Sequence, residues 1–356
     1  MDNILFANQG FNLEELLRNE PSVMIVADRR ALPEITAFDL NGRLFRVDAT
    51  EENKSLEMVA RIAGWLIEND FTKDSLLVGI GGGIVTDLTA FIASVYKRGT
   101  RYALVPTTLV AQVDASIGGK SAVNLCGVKN VLGTITLPEW VLVDGTYLTT
   151  LSQKQLHNGM AEMIKSFVIK DRDAYEGFME LISGCKGEVD PSDVSLRTFI
   201  ERAIRIKCEI VESDRYEKGE RALLNFGHTL GHCIEAIANG QGTGAGILHG
   251  EAVGAGMIFS LWLSAREGVC RPDEAAAIAA DLCRAGYRDE RELMRGNREK
   301  LLHYIRNDKK CNKDFINFAF VRSAGDAVIR RIGMTSLCEA VDEYINMVNY
   351  GSCNNF

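Results

Sequence analysis

Apolar residues in the first third of the chain fall into short uninterrupted runs separated by amphipathic stretches. Ser22 to Ala27 (Ser-Val-Met-Ile-Val-Ala) ends at Asp28, and Ser75 to Ile80 ends at Gly81-Gly82-Gly83. Tyr102 to Val105 and Trp140 to Val143 are shorter runs of the same kind. Such runs predict strands buried on both faces. Between the first two, Leu56 to Ile67 carries Leu56, Val59, Ile62, Ala63, Leu66 and Ile67 at helical spacing. Strand and helix alternating in this way predict a parallel sheet wrapped by helices.

After about Leu151 the texture changes. Gln153 to Ile182 and Leu196 to Glu212 read as helix, and the one further strand-like run is Phe315 to Val321. The expectation is an α/β N-terminal domain with a Rossmann-like parallel sheet, residues 1–151, followed by a mostly α-helical C-terminal domain, residues 152–356. At 356 residues the chain is too long for one comfortable core, which agrees with two domains.

Composition narrows the function. Lys and Arg number 40 against 48 Asp and Glu, a net charge of −8, which argues against a nucleic-acid or anionic-membrane partner. The uncharged stretch Ala252 to Ala265 is too short to cross a bilayer and holds Gly254 and Gly256. Met1-Asp2-Asn3 opens without the basic and apolar regions of a signal peptide. Nine cysteines with no Cys-x-x-Cys look like reduced thiols, so a soluble protein of the cytosol is expected.

The glycine loop Gly81-Gly82-Gly83 leaves a strand and opens a helix-like segment that contains Asp87. Glycines at such a junction let backbone N–H groups approach a diphosphate, although this is not the G-x-G-x-x-G fingerprint. A plain tight turn is the bland alternative. Asp28 and Thr107-Thr108 fall at the ends of two other predicted strands, where ligands of open α/β sheets bind.

Three of the five histidines, His228, His232 and His249, lie close together in sequence. His228 and His232 are four apart and share a face if helical, but the glutamate of a zincin helix is Thr229 here. Glu162, set among apolar residues, is a candidate carboxylate partner. Two histidines and one carboxylate suit a catalytic divalent metal. The bland alternative for Glu162 and Lys165 is an i,i+3 ion pair worth ~0.2–0.5 kcal/mol.

Lys120 and Lys129 sit in a glycine-rich, weakly structured region otherwise uncharged from Asp114 to Glu139, while Lys207, Arg221 and Asn225 lead into the His228 segment. Cations without acidic company need anions, and a phosphate or carboxylate substrate supplies them.

Together these segments resemble the 3-dehydroquinate synthases of the sugar-phosphate cyclase family, from about Asp28 to Lys310. The carriers are Gly81-Gly82-Gly83-x-x-x-Asp87, Arg98-Gly99, Pro106-Thr107-Thr108-Leu109-x-Ala111-Gln112-Val113-Asp114-x-Ser116 and Gly118-Gly119-Lys120. Further on come Lys129-Asn130, Gly159-Met160-Ala161-Glu162-x-Ile164-Lys165, Leu224-Asn225-Phe226-Gly227-His228-Thr229-x-Gly231-His232 and His249-Gly250-Glu251-Ala252-Val253. Thr50, Ser121, Leu125-Cys126 and Val128 depart from the family pattern beside binding positions.

The resemblance implies a bound NAD and one divalent metal, zinc or cobalt. Glu162, His228 and His249 match its metal ligands, and His232 a phosphate-side histidine. Asp114, Lys120, Asn130, Lys165, Lys207, Arg221 and Asn225 match groups that hold the substrate's phosphate, carboxylate and hydroxyls. One lysine of the pair Lys309-Lys310, taken as Lys309, completes the phosphate site. Arg98 matches an arginine that reaches the neighbouring subunit's site, which implies a homodimer. Asp28, Glu51, Lys54, Gly82, Gly83, Asp87, Thr107, Thr108, Lys120, Lys129 and Thr150 match NAD contacts.

The implied activity belongs to the shikimate pathway of aromatic amino acid biosynthesis. It converts 3-deoxy-D-arabino-heptulosonate 7-phosphate to 3-dehydroquinate and phosphate, by transient oxidation, β-elimination, re-reduction and aldol closure. The rivals are a metal-dependent polyol dehydrogenase, a sister cyclase with altered carboxylate-binding positions, and a non-catalytic NAD sensor.

Overall fold

The computed structural model describes residues 3–18, 20–31, 42–185, 188–240, 246–306 and 314–347. Two compact units emerge. Met1–Leu156 with Pro191–Ile200 form the first, and His157–Asp190 with Glu201–Phe356 the second.

The first unit is built on a six-stranded parallel sheet. Its strands are β1 (Ile4–Phe6), β2 (Val23–Asp28), β3 (Leu44–Val47), β4 (Leu76–Gly81), β5 (Arg101–Pro106) and β8 (Val141–Val143), in the order β1-β8-β5-β4-β2-β3. The central strand β4 is buried at every position, as its unbroken apolar run requires. Ile25, Val78, Ile80, Ala103, Val105 and Leu142 share one core with Leu17 of α1 (Leu13–Arg18). Helices α2 (Leu56–Glu68) and α3 (Gly83–Val95) follow β3 and β4, and Ser55 caps α2 by accepting from the Met58 N–H.

The segment read as weakly structured is instead an antiparallel hairpin, β6 (Lys120–Leu125) with β7 (Val128–Ile135). Gly127, with φ 77°, makes its turn.

The second unit is mainly helical. It holds most of α4 (Gln153–Lys170) and α6 (Val194–Ser213), with α5 (Arg172–Gly184), α7 (His228–Gly240), α8 (His249–Arg266), α9 (Pro272–Arg284), α10 (Arg291–Gly296), α11 (Arg298–Arg306) and α12 (Met334–Asn346). The helical run expected from Gln153 to Ile182 is broken at Asp171, whose carboxylate accepts from the Ala174 N–H and starts α5 afresh. A hairpin, β9 (Phe315–Ser323) with β10 (Asp326–Gly333), completes the unit. Helix α8 is buried along most of its length. Phe259 and Trp262 pack on Tyr344 of α12 at ring distances of 5.1 Å each. No helix among the described residues is long and apolar enough to cross a membrane. Cys126, Cys185, Cys208, Cys233, Cys270 and Cys338 are free thiols, whereas Cys283 is disulfide-bonded, which departs from uniformly reduced cysteines.

Candidate functional site

In the second unit, three helices supply one cluster. Glu162 and Lys165 stand one turn apart on α4, both almost completely buried. His228 is the first residue of α7 and His249 the first of α8. Gly227, at φ 78°, turns the chain into α7, and a Cβ there would stand 2.8 Å from the Val253 carbonyl oxygen of α8. Gly250 lets the start of α8 lie against α4, with its N–H donating to Asn158 Oδ1 at 2.5 Å. Close backbone approach at these two glycines brings the three functional side chains together.

Glu162 Oε1 lies 3.4 Å from His228 Nε2 and 3.2 Å from His249 Nε2, and Lys165 pairs with the other carboxylate oxygen. One donor atom from each of Glu162, His228 and His249 falls within 4.8 Å of the others. Two ligands bound to one tetrahedral ion at about 2.1 Å stand roughly 3.4 Å apart, so both measured separations fit a shared cation. The outer ring nitrogens are occupied as well. His228 Nδ1 is 3.1 Å from the Phe226 carbonyl oxygen, and His249 Nδ1 is 3.1 Å from Glu235 Oε2. With hydrogen on each Nδ1, both Nε2 lone pairs are left for an ion.

The electrostatics agree. Burial works against the Glu162 carboxylate, but Lys165 and His228 hold it well below the usual carboxylate range, so it is ionised. Burial and the nearby Lys165 ammonium push the His228 ring down, which favours the neutral form a ligand needs. Burial also opposes charge on His249, yet Glu162 and Glu235 outweigh it and push the ring up to about 10. Positive charge is favoured where the three side chains meet, and a cation bound there would take the place of the His249 Nε2 proton.

The other expected residues of this unit differ in shelter, Asn225 being half-buried and His232 exposed. Lys207 and Arg221 are buried. Arg221 follows a loop gathered by Asp214, whose carboxylate accepts from the Lys218, Gly219 and Arg221 N–H groups. Those backbone bonds hold Asp214 below its ordinary range, burial opposing them only in part. Asn225 donates to Glu217 Oε1 at 2.6 Å. The His232 ring lies 5.2 Å from that of His228 and 6.0 Å from that of His249, beside the cluster. Lys309 lies outside the described residues.

In the first unit, the carboxyl ends of β2, β4 and β5 converge. The Thr107 N–H donates to the Gly81 carbonyl, and Gly82, which caps α3, packs against Thr108. A Cβ on Gly81 would stand 3.2 Å from that of Asp28. Lys54 is buried, 2.5 Å from Asp87 Oδ2, and donates to Asn130 Oδ1 at 2.7 Å. Asn124 of β6 donates to Glu51 Oε1 at 2.8 Å. Residues expected on the cofactor, Glu51, Lys54 and Asp87, are thereby tied to the hairpin that carries Lys120, Lys129 and Asn130. Burial pushes Asp87 up, and Lys54 offsets this in part. Asp114 sits in a π-helical turn, Ala111–Ala115, and Thr150 is exposed at the end of a 3-10 turn. Arg98 is exposed, in a turn where both Lys97 (φ 46°) and Arg98 (φ 66°) are left-handed.

Sequence reasoning passed over Glu235, Asn158 and Asp214. Glu235 had a signal: it follows His228 by seven residues and His232 by three, on the same helical face.

The first unit thus carries a glycine loop at strand ends, and the second a two-histidine, one-carboxylate cluster. The fold is that of the sugar-phosphate cyclases. It matches 2-deoxy-scyllo-inosose synthase complexed with carbaglucose-6-phosphate, NAD+ and Co2+ with a TM-score of 0.79, 22% identity and 96% coverage of each chain. It also matches 2-epi-5-epi-valiolone synthase from Streptomyces hygroscopicus subsp. jinggangensis 5008, solved with NAD+ and Zn2+ bound, with a TM-score of 0.78, 24% identity and 96% coverage of each chain.

The family is narrower still. Residues 44–158 match the model of the 3-dehydroquinate synthase N-terminal region, and residues 159–311 that of the C-terminal region. The 3-dehydroquinate synthase of Leuconostoc citreum (strain KM20) is 36% identical over 298 residues, 84% of this chain and 79% of the relative. The chain belongs to the 3-dehydroquinate synthase family, and it is an enzyme of that type.

Proposed function

We propose that the chain converts 3-deoxy-D-arabino-heptulosonate 7-phosphate to 3-dehydroquinate and phosphate, with Glu162, His228 and His249 holding one divalent ion. The observation that carries this reading is the meeting of Glu162 Oε1 with two histidine Nε2 atoms beside buried Lys165. Residues 1–151 bind NAD and residues 152–356 hold the metal and most substrate contacts. When bound, the nicotinamide accepts and returns a hydride while the ion acts as a Lewis acid toward a substrate oxygen.

The chain's own residues do the rest. Asp28, Glu51, Lys54, Gly82, Gly83, Asp87, Thr107, Thr108, Lys120, Lys129 and Thr150 seat the cofactor. The helix start at Gly82-Gly83 offers N–H groups to its diphosphate. Lys165 and Lys207, both buried, hold substrate hydroxyls and stabilise negative oxygen as it develops. Arg221 grips the carboxylate with its planar fork, and Asp214 sets the loop from which it reaches. Lys120, Asn130, Asn225, His232 and Lys309 bind the phosphate, and Asp114 orients the substrate. Arg98 acts across a homodimer, in its partner's site. The enzyme works in the cytoplasm.

The test is incubation with the heptulosonate phosphate, a catalytic amount of NAD and zinc or cobalt, scoring inorganic phosphate and the ring product. Phosphate release without accumulating NADH is expected. Steady NADH formation from a plain polyol would instead identify a dehydrogenase. Glu162→Gln loses metal and turnover together while NAD binding persists; wild-type metal content in that variant would remove Glu162 from the ligand set. Sedimentation through the micromolar range tests the dimer, a monomer throughout refuting it.

A further inference from the structure

His228, His232 and Glu235 occupy positions i, i+4 and i+7 of α7 and share one face. That face meets the start of α8. The His228 ring lies 5.4 Å from that of His249, and the His249 Nδ1 atom is 3.1 Å from Glu235 Oε2. The two nitrogens of His249 therefore face two different carboxylates, Nε2 toward Glu162 and Nδ1 toward Glu235. The Glu235 side chain is largely shielded, 17% exposed, so water competes weakly for this contact.

The other histidine is held differently. His228 leans on the neutral carbonyl of Phe226. A carboxylate acceptor behind an imidazole fixes its tautomer and ring angle and makes the opposite nitrogen a stronger donor, more than a neutral carbonyl does.

We propose that Glu235 is a positioning residue of the metal centre, orienting His249 and strengthening it as a ligand without touching the ion or the substrate. The inference rests on the reading of Glu162, His228 and His249 as metal ligands. It makes the two histidines unequal: His249 is the ligand whose strength a remote side chain sets.

The experiment compares the wild-type chain with Glu235→Ala, Glu235→Gln and Glu162→Gln, each stripped of metal and refilled. Zinc is titrated against a chelating indicator, and cobalt is followed by visible absorption, which reports the ligand field. The wild type is expected to bind a single ion and Glu162→Gln to bind none in the same range. Glu235→Ala should bind about ten- to a hundredfold more weakly, with displaced cobalt bands. Glu235→Gln, which keeps an acceptor but not the charge, should fall between and carries the test if the alanine variant does not fold. Thermal unfolding of the metal-free chains separates lost affinity from lost fold.

Zinc affinity within about threefold of wild type in both Glu235 variants, with unshifted cobalt bands, overturns the proposal while leaving the metal site standing. A wild-type chain that takes up neither ion overturns the metal reading and this inference with it.

Discussion

Gly250→Ala tests how the metal centre is assembled. A Cβ at this position would stand 2.8 Å from the Asn158 carbonyl carbon and 2.9 Å from the Asn158 Cα, both backbone atoms of α4. Carbon atoms in ordinary contact sit about 3.5–4.0 Å apart, so α4 and α8 must separate by roughly 1 Å. Overpacking of this size costs about 1–3 kcal/mol, or about 2–12 °C in Tm for a unit of this length. The separation falls between two of the proposed ligands, since Asn158 lies one turn before Glu162 and Gly250 adjoins His249. Their 3.2 Å contact would open, and zinc affinity should fall along with stability. Differential scanning calorimetry of the metal-free chain and a zinc titration read the two effects. Gly64→Ala is the control. Gly64 lies inside α2 with open space around it, and alanine there should stabilise by about 0.4–1 kcal/mol. Gly250→Ala with wild-type Tm and wild-type zinc affinity would refute the argument that close helix approach assembles the site.

Lys54→Met removes one partner of a buried pair, which costs about 3–5 kcal/mol and weakens NAD binding. Burial already raises Asp87, and a carboxyl raised above its unfolded value favours folding most below that value and loses the benefit as pH rises through the folded one. The Lys54→Met deficit should therefore be largest at neutral pH and shrink toward about pH 4; a deficit independent of pH in urea unfolding would refute this. Arg221→Lys should raise KM for the heptulosonate phosphate about 10- to 100-fold with a smaller change in kcat, because a lysine cannot reproduce the two-pronged grip. Initial-rate kinetics check it, and an unchanged KM removes Arg221 from the carboxylate. Chelation should abolish phosphate release reversibly, zinc or cobalt restoring it; activity that survives verified metal removal would refute a catalytic ion.

The strands that could be read from the sequence are those buried on both faces. Ser22 to Ala27 and Ser75 to Ile80 differ from β2 and β4 by one residue at each end, because a continuous apolar run has one favourable environment. The edge strands β1 and β3 are short and half-buried, and their residues carry little pattern. Hairpin β6–β7 was hidden for another reason. Most of β7 is exposed, and Gly133 interrupts its alternation because a side chain there would strike the Ser121 backbone. Histidine scarcity made His228, His232 and His249 visible in the site. Glu162 stood out as a charge among apolar neighbours. Glu235 shares a helical face with His228 and His232 in the sequence, but its contact with His249 depends on α8 lying alongside α7, which no local pattern announces.

His228 and His249 each open a helix, and this placement reaches beyond the ligand count. The amino end of a helix carries partial positive charge, so two such ends work against a cation held between them. The acidic side chains on either side of His249 counter that opposition. What survives is a centre electron-poor for its composition, and a negatively charged oxygen arriving there gains from both helix ends at once.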